Sequence, residues 1–114
     1  MPTIIYHNPA CTTSRNVLEA LRAAGKNPEV VDYMKAGWTL PLLNSLMQKT
    51  GLSARELLRT RGDHAAAAGL TGASSEAEIL AAMVAHPVLV ERPIVITDKG
   101  AALVRPKEKL AELL

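Results

Sequence analysis

Apolar positions along the chain follow two periods, and the places where one gives way to the other mark its elements. "TIIYH" (3–7) is a short β-rich run that stops at Asn8-Pro9, a strand followed by a turn. From Thr12 the period becomes helical: Val17, Leu18 and Leu21 share one face, and Gly25 supplies a C-terminal stop. "EVVDY" (29–33) reads as a second strand. Strand, helix, strand at this spacing predicts a parallel βαβ unit with a right-handed crossover.

The middle of the chain is helical. Thr39 is placed to cap a helix that carries Leu40, Leu43, Leu46 and Met47 on one face and ends at Gly51. Ser53-Ala54-Arg55-Glu56 has the capping-box pattern, with Leu52 and Leu57 spaced as a hydrophobic staple. Ser75-Glu76-Ala77-Glu78 repeats the box and opens a helix with Ile79, Leu80, Met83 and Val84. Between the two boxes, "DHAAAAGLTG" (63–72) reads as one short helix and a loop. After His86-Pro87 the β period returns. "PIVIT" (93–97) and "AALVR" (101–105) flank Asp98-Lys99-Gly100, the chemistry of a tight hairpin turn. Pro106 suits the first turn of a closing helix over 106–113. The order is βαβ, a helical insertion, then ββα. That is a thioredoxin-like α/β fold with a small mixed sheet.

Composition narrows the class. A chain of 114 residues, 48% apolar and 21% charged, fits one domain over 1–114 with a core of modest size. With no Phe, one Trp and two Tyr, that core must be built from Leu, Ile, Val, Ala and Met. No apolar run approaches the ~20 residues that cross a bilayer, and "MPTIIYHNP" lacks the basic and apolar regions of a secretory signal. No membrane partner is expected, and the location expected is cytoplasmic. The net charge of +2 is scattered, so no nucleic-acid partner is expected either, and the chain is read as a monomer.

A single cysteine excludes an internal disulfide and argues against a cysteine-based zinc site, and no pair of the three histidines has metal-ligand spacing. No metal and no bound cofactor are expected. His64 reads as solvated, His86 as the end of a helix, and Trp38 with Met34 and Met47 as core.

The one cysteine stands in "HNPACTTSR" (7–15), after the first strand and at the mouth of the first helix. Unpaired helix N-terminal amides stabilise an anion there, which for cysteine is its own thiolate. His7 and Arg15 can add positive potential, while Thr12, Thr13 and Ser14 bring the hydroxyls and amides of an oxyanion cradle. A lone cysteine is more often a buried hydrophobe. The neighbours of Cys11 are not core residues, however, and the position after a strand in an α/β fold is where ligands bind. A reactive Cys11 is the reading.

"YHNPACTTSRNVLEALR" (6–22) resembles the active-site segment of the glutaredoxin-coupled arsenate reductase family, the ArsC type. The likeness extends through "LLR" (57–59), "HPVLVERPIVIT" (86–97) and "RP" (105–106). It implies that Cys11 attacks arsenate, that Arg59, Arg92 and Arg105 bind the oxyanion, and that His7 helps to ionise the thiol. Ser14 and Arg15 match the family's "CxxSR" and join the substrate site. Glutathione is then the co-substrate and glutaredoxin the protein partner. Guanidinium forks suit a tetrahedral anion because they stay charged and bind oxygens in pairs.

From sequence alone Arg55 and Arg61 are close rivals of Arg59. An Arg92-Pro93 bond before a strand invites a cis peptide that turns Arg92 toward the site. Helix position rather than Arg92 is expected to ionise the thiol, with Arg92 making few core contacts. Two other functions fit the same fold. One is a general glutathione-linked thiol oxidoreductase. The other is a non-enzymatic regulator resembling Spx, whose Cys-x-x-Cys switch has Ser14 here in place of its second cysteine.

Overall fold

The structure is a computed structural model and describes residues 3–114. Met1 and Pro2, the first residues of the single domain expected over 1–114, lie outside the described residues. Its contacts gather into two compact units: the segments through Ala36 and from Arg92 to Leu114 form one, and Gly37–Glu91 the other.

The first unit holds the sheet. Strand β1 (Ile4–His7) lies parallel to β2 (Glu29–Asp32) with His7 opposite Asp32. It lies antiparallel to β3 (Ile94–Thr97), which pairs in turn with β4 (Gly100–Leu103), so the order is β2-β1-β3-β4. Every residue of the inner strand β3 is buried, which explains the apolar run Ile94-Val95-Ile96 where a half-exposed strand would alternate; Thr97 at its end donates through Oγ1 to Leu113 O at 2.9 Å. Helix α1 (Thr12–Ala23) links the parallel pair. Its Val17 and Leu21 are fully buried and pack with Ile5, Val95, Val104, Leu110 and Leu113. Each such side chain contributes about 1.5–3 kcal/mol relative to exposure.

Three local readings change. The second strand stops at Asp32 and not at Tyr33, because Asp32 Oδ1 accepts the Met34 N–H (3.1 Å) and starts the single turn α2 (Tyr33–Ala36). Met34 is 44% exposed on that turn and is not core, whereas Trp38 is buried. The closing helix is 3₁₀ over Lys107–Leu113, with a repeat of three that brings Leu110 and Leu113 to the same inner side. The Arg92-Pro93 bond is cis as expected; Arg105-Pro106 is cis as well.

The Gly37–Glu91 unit is built from α3 (Leu40–Thr50), α4 (Ala54–Leu57), α5 (His64–Ala67) and α6 (Glu76–Ala85), followed by a 3₁₀ turn over Pro87–Leu89. Thr39 caps α3 through the Leu42 N–H, and Gly51 ends it in the left-handed conformation. Both capping boxes form, at Ser53/Glu56 and Ser75/Glu78. Glu76 adds a cap that no local pattern announces: its carboxylate accepts the Ala54 and Arg55 N–H groups at 2.8 and 3.1 Å. Trp38 Nε1 donates to Pro87 O at 3.2 Å. His86 is the C-cap of α6 and His64 is exposed on α5, as read from the sequence. Among the described residues no helix is long and apolar enough to cross a membrane.

Candidate functional site

Strand β1 delivers His7 and Asn8 to the carboxyl edge of the sheet, and the chain turns there into α1. Asn8 shapes the turn. Its carbonyl accepts the Cys11 N–H and its side-chain Oδ1 the Ala10 N–H, both at 3.0 Å. Its own N–H donates to Ser14 Oγ at 3.1 Å. Cys11 becomes the N-cap of α1, with φ −94° and ψ 121°. The sequence pattern marks Asn8 only as part of a turn, although an Asn before Pro at a strand end is the signal of such a loop.

Ser14 is fully buried one turn into α1, and its hydroxyl is hydrogen-bonded to His7 Nδ1 at 2.6 Å. Burial pushes the His7 ring below its ordinary value, opposed by Asp32 and assisted by Arg22 and Arg15. The ring's contact is with Ser14. Arg15 clasps the outside of the loop. Its guanidinium donates to Pro9 O (3.0 Å) and Thr12 Oγ1 (3.3 Å), in an exposed position.

Cys11 itself is half-buried. Arg105 Nη1 points at its sulfur at 3.8 Å and also donates to Arg92 O at 2.8 Å. Arg105, expected at the end of the last strand, lies two residues past β4 and follows the buried Val104. Arg92 is buried, 6% exposed, contrary to the expectation that it would make few core contacts. Burial pushes the Cys11 thiol up. The Ser14 backbone N–H, Arg105 and Arg92 outweigh that and hold it below its ordinary value. Ionisation thus rests on helix position and on both arginines, not on helix position alone. The Cys11 side chain makes no capping hydrogen bond, and the Ser14 amide, third in the helix, favours the ionised form of the sulfur.

Alkylation of Cys11 by iodoacetamide as a function of pH should show a midpoint below the ~8.5 of a free thiol. A midpoint at or above that value would remove the activated sulfur. The same shift makes folding gain stability as pH rises through the folded midpoint. The gain is complete above the unfolded value and lost again as pH falls through the folded one.

Arg59 belongs to the Gly37–Glu91 unit, where its N–H donates to Leu89 O (2.7 Å) and its Nε to Arg61 O (3.4 Å). Its two rivals have other engagements in that unit. Arg55 Nη2 donates to Ser74 O, and Arg61 pairs with Glu91 at 3.0 Å. Among the described residues no three His, Cys, Asp or Glu side chains gather as a metal site.

A cysteine at a helix mouth beside Arg105 and Arg92 has the chemistry to bind an oxyanion and to present a nucleophile to it. The sequence profile of the ArsC family matches residues 6–113. The chain belongs to the ArsC family. Among its ArsC relatives, arsenate reductase ArsI2 of Synechocystis sp. is 49% identical over 112 residues, spanning 97% of this chain and 80% of the relative. The arsenate reductase of Escherichia coli (strain K12) is 40% identical over 111 residues, 96% of this chain and 79% of the relative. The solved structure of arsenate reductase from Vibrio cholerae matches with a TM-score of 0.92 at 35% identity, covering 100% of this chain and 98% of that one. The fold is accordingly the thioredoxin-like α/β arrangement expected of an ArsC chain.

Proposed function

We propose that this ArsC chain is a cytoplasmic, monomeric arsenate reductase that uses glutathione as co-substrate and glutaredoxin as partner, with Cys11 as nucleophile. The observation that carries the reading is the guanidinium of Arg105 held 3.8 Å from the Cys11 sulfur at the N-cap of α1. The names of the relatives supply the substrate, and the single cysteine favours an external thiol over an internal disulfide.

In this scheme Arg105 and Arg92 hold the arsenate oxygens beside the sulfur, with the amides at the start of α1 completing the cradle. Ser14, braced by His7, keeps the first turn of α1 in place, and Arg15 keeps the loop closed. The Cys11 thiolate attacks arsenic, forming a sulfur–arsenic bond as one oxygen takes up protons and leaves as water. Glutathione then attacks the Cys11 sulfur. The sulfur–arsenic bond breaks toward arsenic, which keeps the electron pair and leaves as arsenite, As(V) having become As(III). Cys11 and glutathione, each oxidised by one electron, remain as a mixed disulfide. Glutaredoxin takes the glutathione and restores the thiol. A location where glutathione keeps thiols reduced suits this cycle. The oxyanion reading is made on Arg92 and Arg105; Arg59 is assigned to it only by resemblance.

Purified protein incubated with arsenate should release arsenite when given glutathione and glutaredoxin, and should not when thioredoxin replaces both. Turnover with thioredoxin alone would overturn the glutathione coupling. No arsenite with either donor would overturn the substrate.

A further inference from the structure

Asn8 is fixed from a second direction. Because Ala10 N–H must meet an acceptor, the oxygen of the Asn8 amide faces the loop, and its NH₂ is turned the other way. There it donates to Tyr33 Oη at 3.5 Å. Both groups are buried, Asn8 7% and Tyr33 1% exposed, so the contact is made away from competing water. The register explains how they meet. His7 lies opposite Asp32 in the parallel pair, so the next residue of each strand, Asn8 and Tyr33, leaves the same edge of the sheet side by side. Asp32 fixes the exit of β2 by accepting the Met34 N–H, which sets Tyr33 at the head of α2.

We infer that Tyr33 is a positioning residue for the Cys11 loop: its phenol oxygen locks the Asn8 side chain, and Asn8 through its carbonyl and Oδ1 fixes the Ala10 and Cys11 amides. The effect on Cys11 is indirect. Tyr33 lies 22 residues along the chain from Cys11 and acts through the residue that shapes the turn, so that the Ser14 N–H and Arg105 meet the sulfur. The inference rests on Cys11 being the working nucleophile but not on the identity of its substrate.

Tyr33→Phe removes only the phenol oxygen and keeps the ring in the core. In the variant the Ala10 and Cys11 amides should exchange with solvent at least about tenfold faster, while those of β3 exchange as in the wild type. The midpoint of Cys11 alkylation should rise by roughly half a pH unit, a threefold loss of thiolate well below the midpoint. Asn8→Ala, which also removes the Oδ1 acceptor of the Ala10 N–H, should produce the same two changes at least as strongly, and Tyr33→Phe added to it should produce no more, because Tyr33 acts on the loop through Asn8. A residue serving only the core would change exchange across the sheet and leave the midpoint alone. Unchanged exchange at Ala10 and Cys11 in Tyr33→Phe, or additive effects in the double variant, would overturn the inference. The wild-type midpoint separately decides whether Cys11 is activated at all. Asn8→Ala protects the test against a poorly folded Tyr33 variant.

Discussion

Cys11→Ser is expected to abolish arsenate reduction and yet leave the fold with a stability close to that of the wild type. The loss should be on the order of a thousandfold or more, down to background, because a serine hydroxyl does not ionise near neutral pH and offers no sulfur to accept glutathione. Stability should move little. Cys11 occupies an N-cap with extended backbone, and its side chain makes no capping hydrogen bond. Serine is among the residues preferred there, since its oxygen accepts an amide of the first turn, worth up to about 1 kcal/mol. That gain offsets the stability lost with the thiolate, whose lowered pKa favours the folded state, so the two contributions nearly cancel. Thermal unfolding and arsenite release, measured on the same two preparations, test both halves. Residual reduction above background would remove Cys11 from the reaction. An equal loss of folding stability would make the cysteine a structural residue.

How much of this could be read beforehand varies with the range of the interaction involved. Thr39, Gly51 and the two capping boxes are local chemistry, complete within four residues, and they form where the pattern places them. The parallel pairing of β1 with β2 follows from the strand–helix–strand spacing, and the place of Cys11 at a helix mouth follows from it in turn. Tyr33 misleads because an aromatic after Val-Val-Asp has the propensity of a strand, while the Asp32 side chain ends the strand there. The cap that Glu76 gives α4 spans more than twenty residues and has no sequence period. Arg92 is the clearest case at the site. Its motif marks it as a candidate, but charge alone suggests an exposed side chain, and its burial beside Arg105 is a tertiary fact. Asn8 is similar: the turn it makes is visible in Asn-Pro, whereas its Tyr33 contact depends on strand register.

Arg105→Lys is expected to lower kcat/KM for arsenate by roughly tenfold or more, the equivalent of losing one charged hydrogen bond of about 1.5–3 kcal/mol. The substitution keeps the positive charge. What it removes is a planar fork whose Nη1 reaches both Cys11 Sγ, at 3.8 Å, and Arg92 O, at 2.8 Å. A lysine ammonium can meet one of these partners but does not hold the pair in a plane with a second nitrogen left for substrate oxygen. The variant suits the question better than Arg92→Lys. Arg92 is buried, so changing it disturbs packing, whereas Arg105 is half-buried and its loss from the Arg92 carbonyl should cost only about 1 kcal/mol of stability. Two roles for Arg105 can then be separated by pH. If it serves only to stabilise the thiolate, the alkylation midpoint rises and activity recovers once the pH exceeds the midpoints of both proteins. If it also holds the oxyanion, a loss persists there and appears as a higher KM for arsenate. The persistent loss is the expected result, because an arginine set against the attacking sulfur also lies where the oxygens of a bound arsenate must be. Wild-type kcat/KM in Arg105→Lys at neutral pH would take Arg105 out of the site, and the oxyanion reading would lose the contact on which it stands.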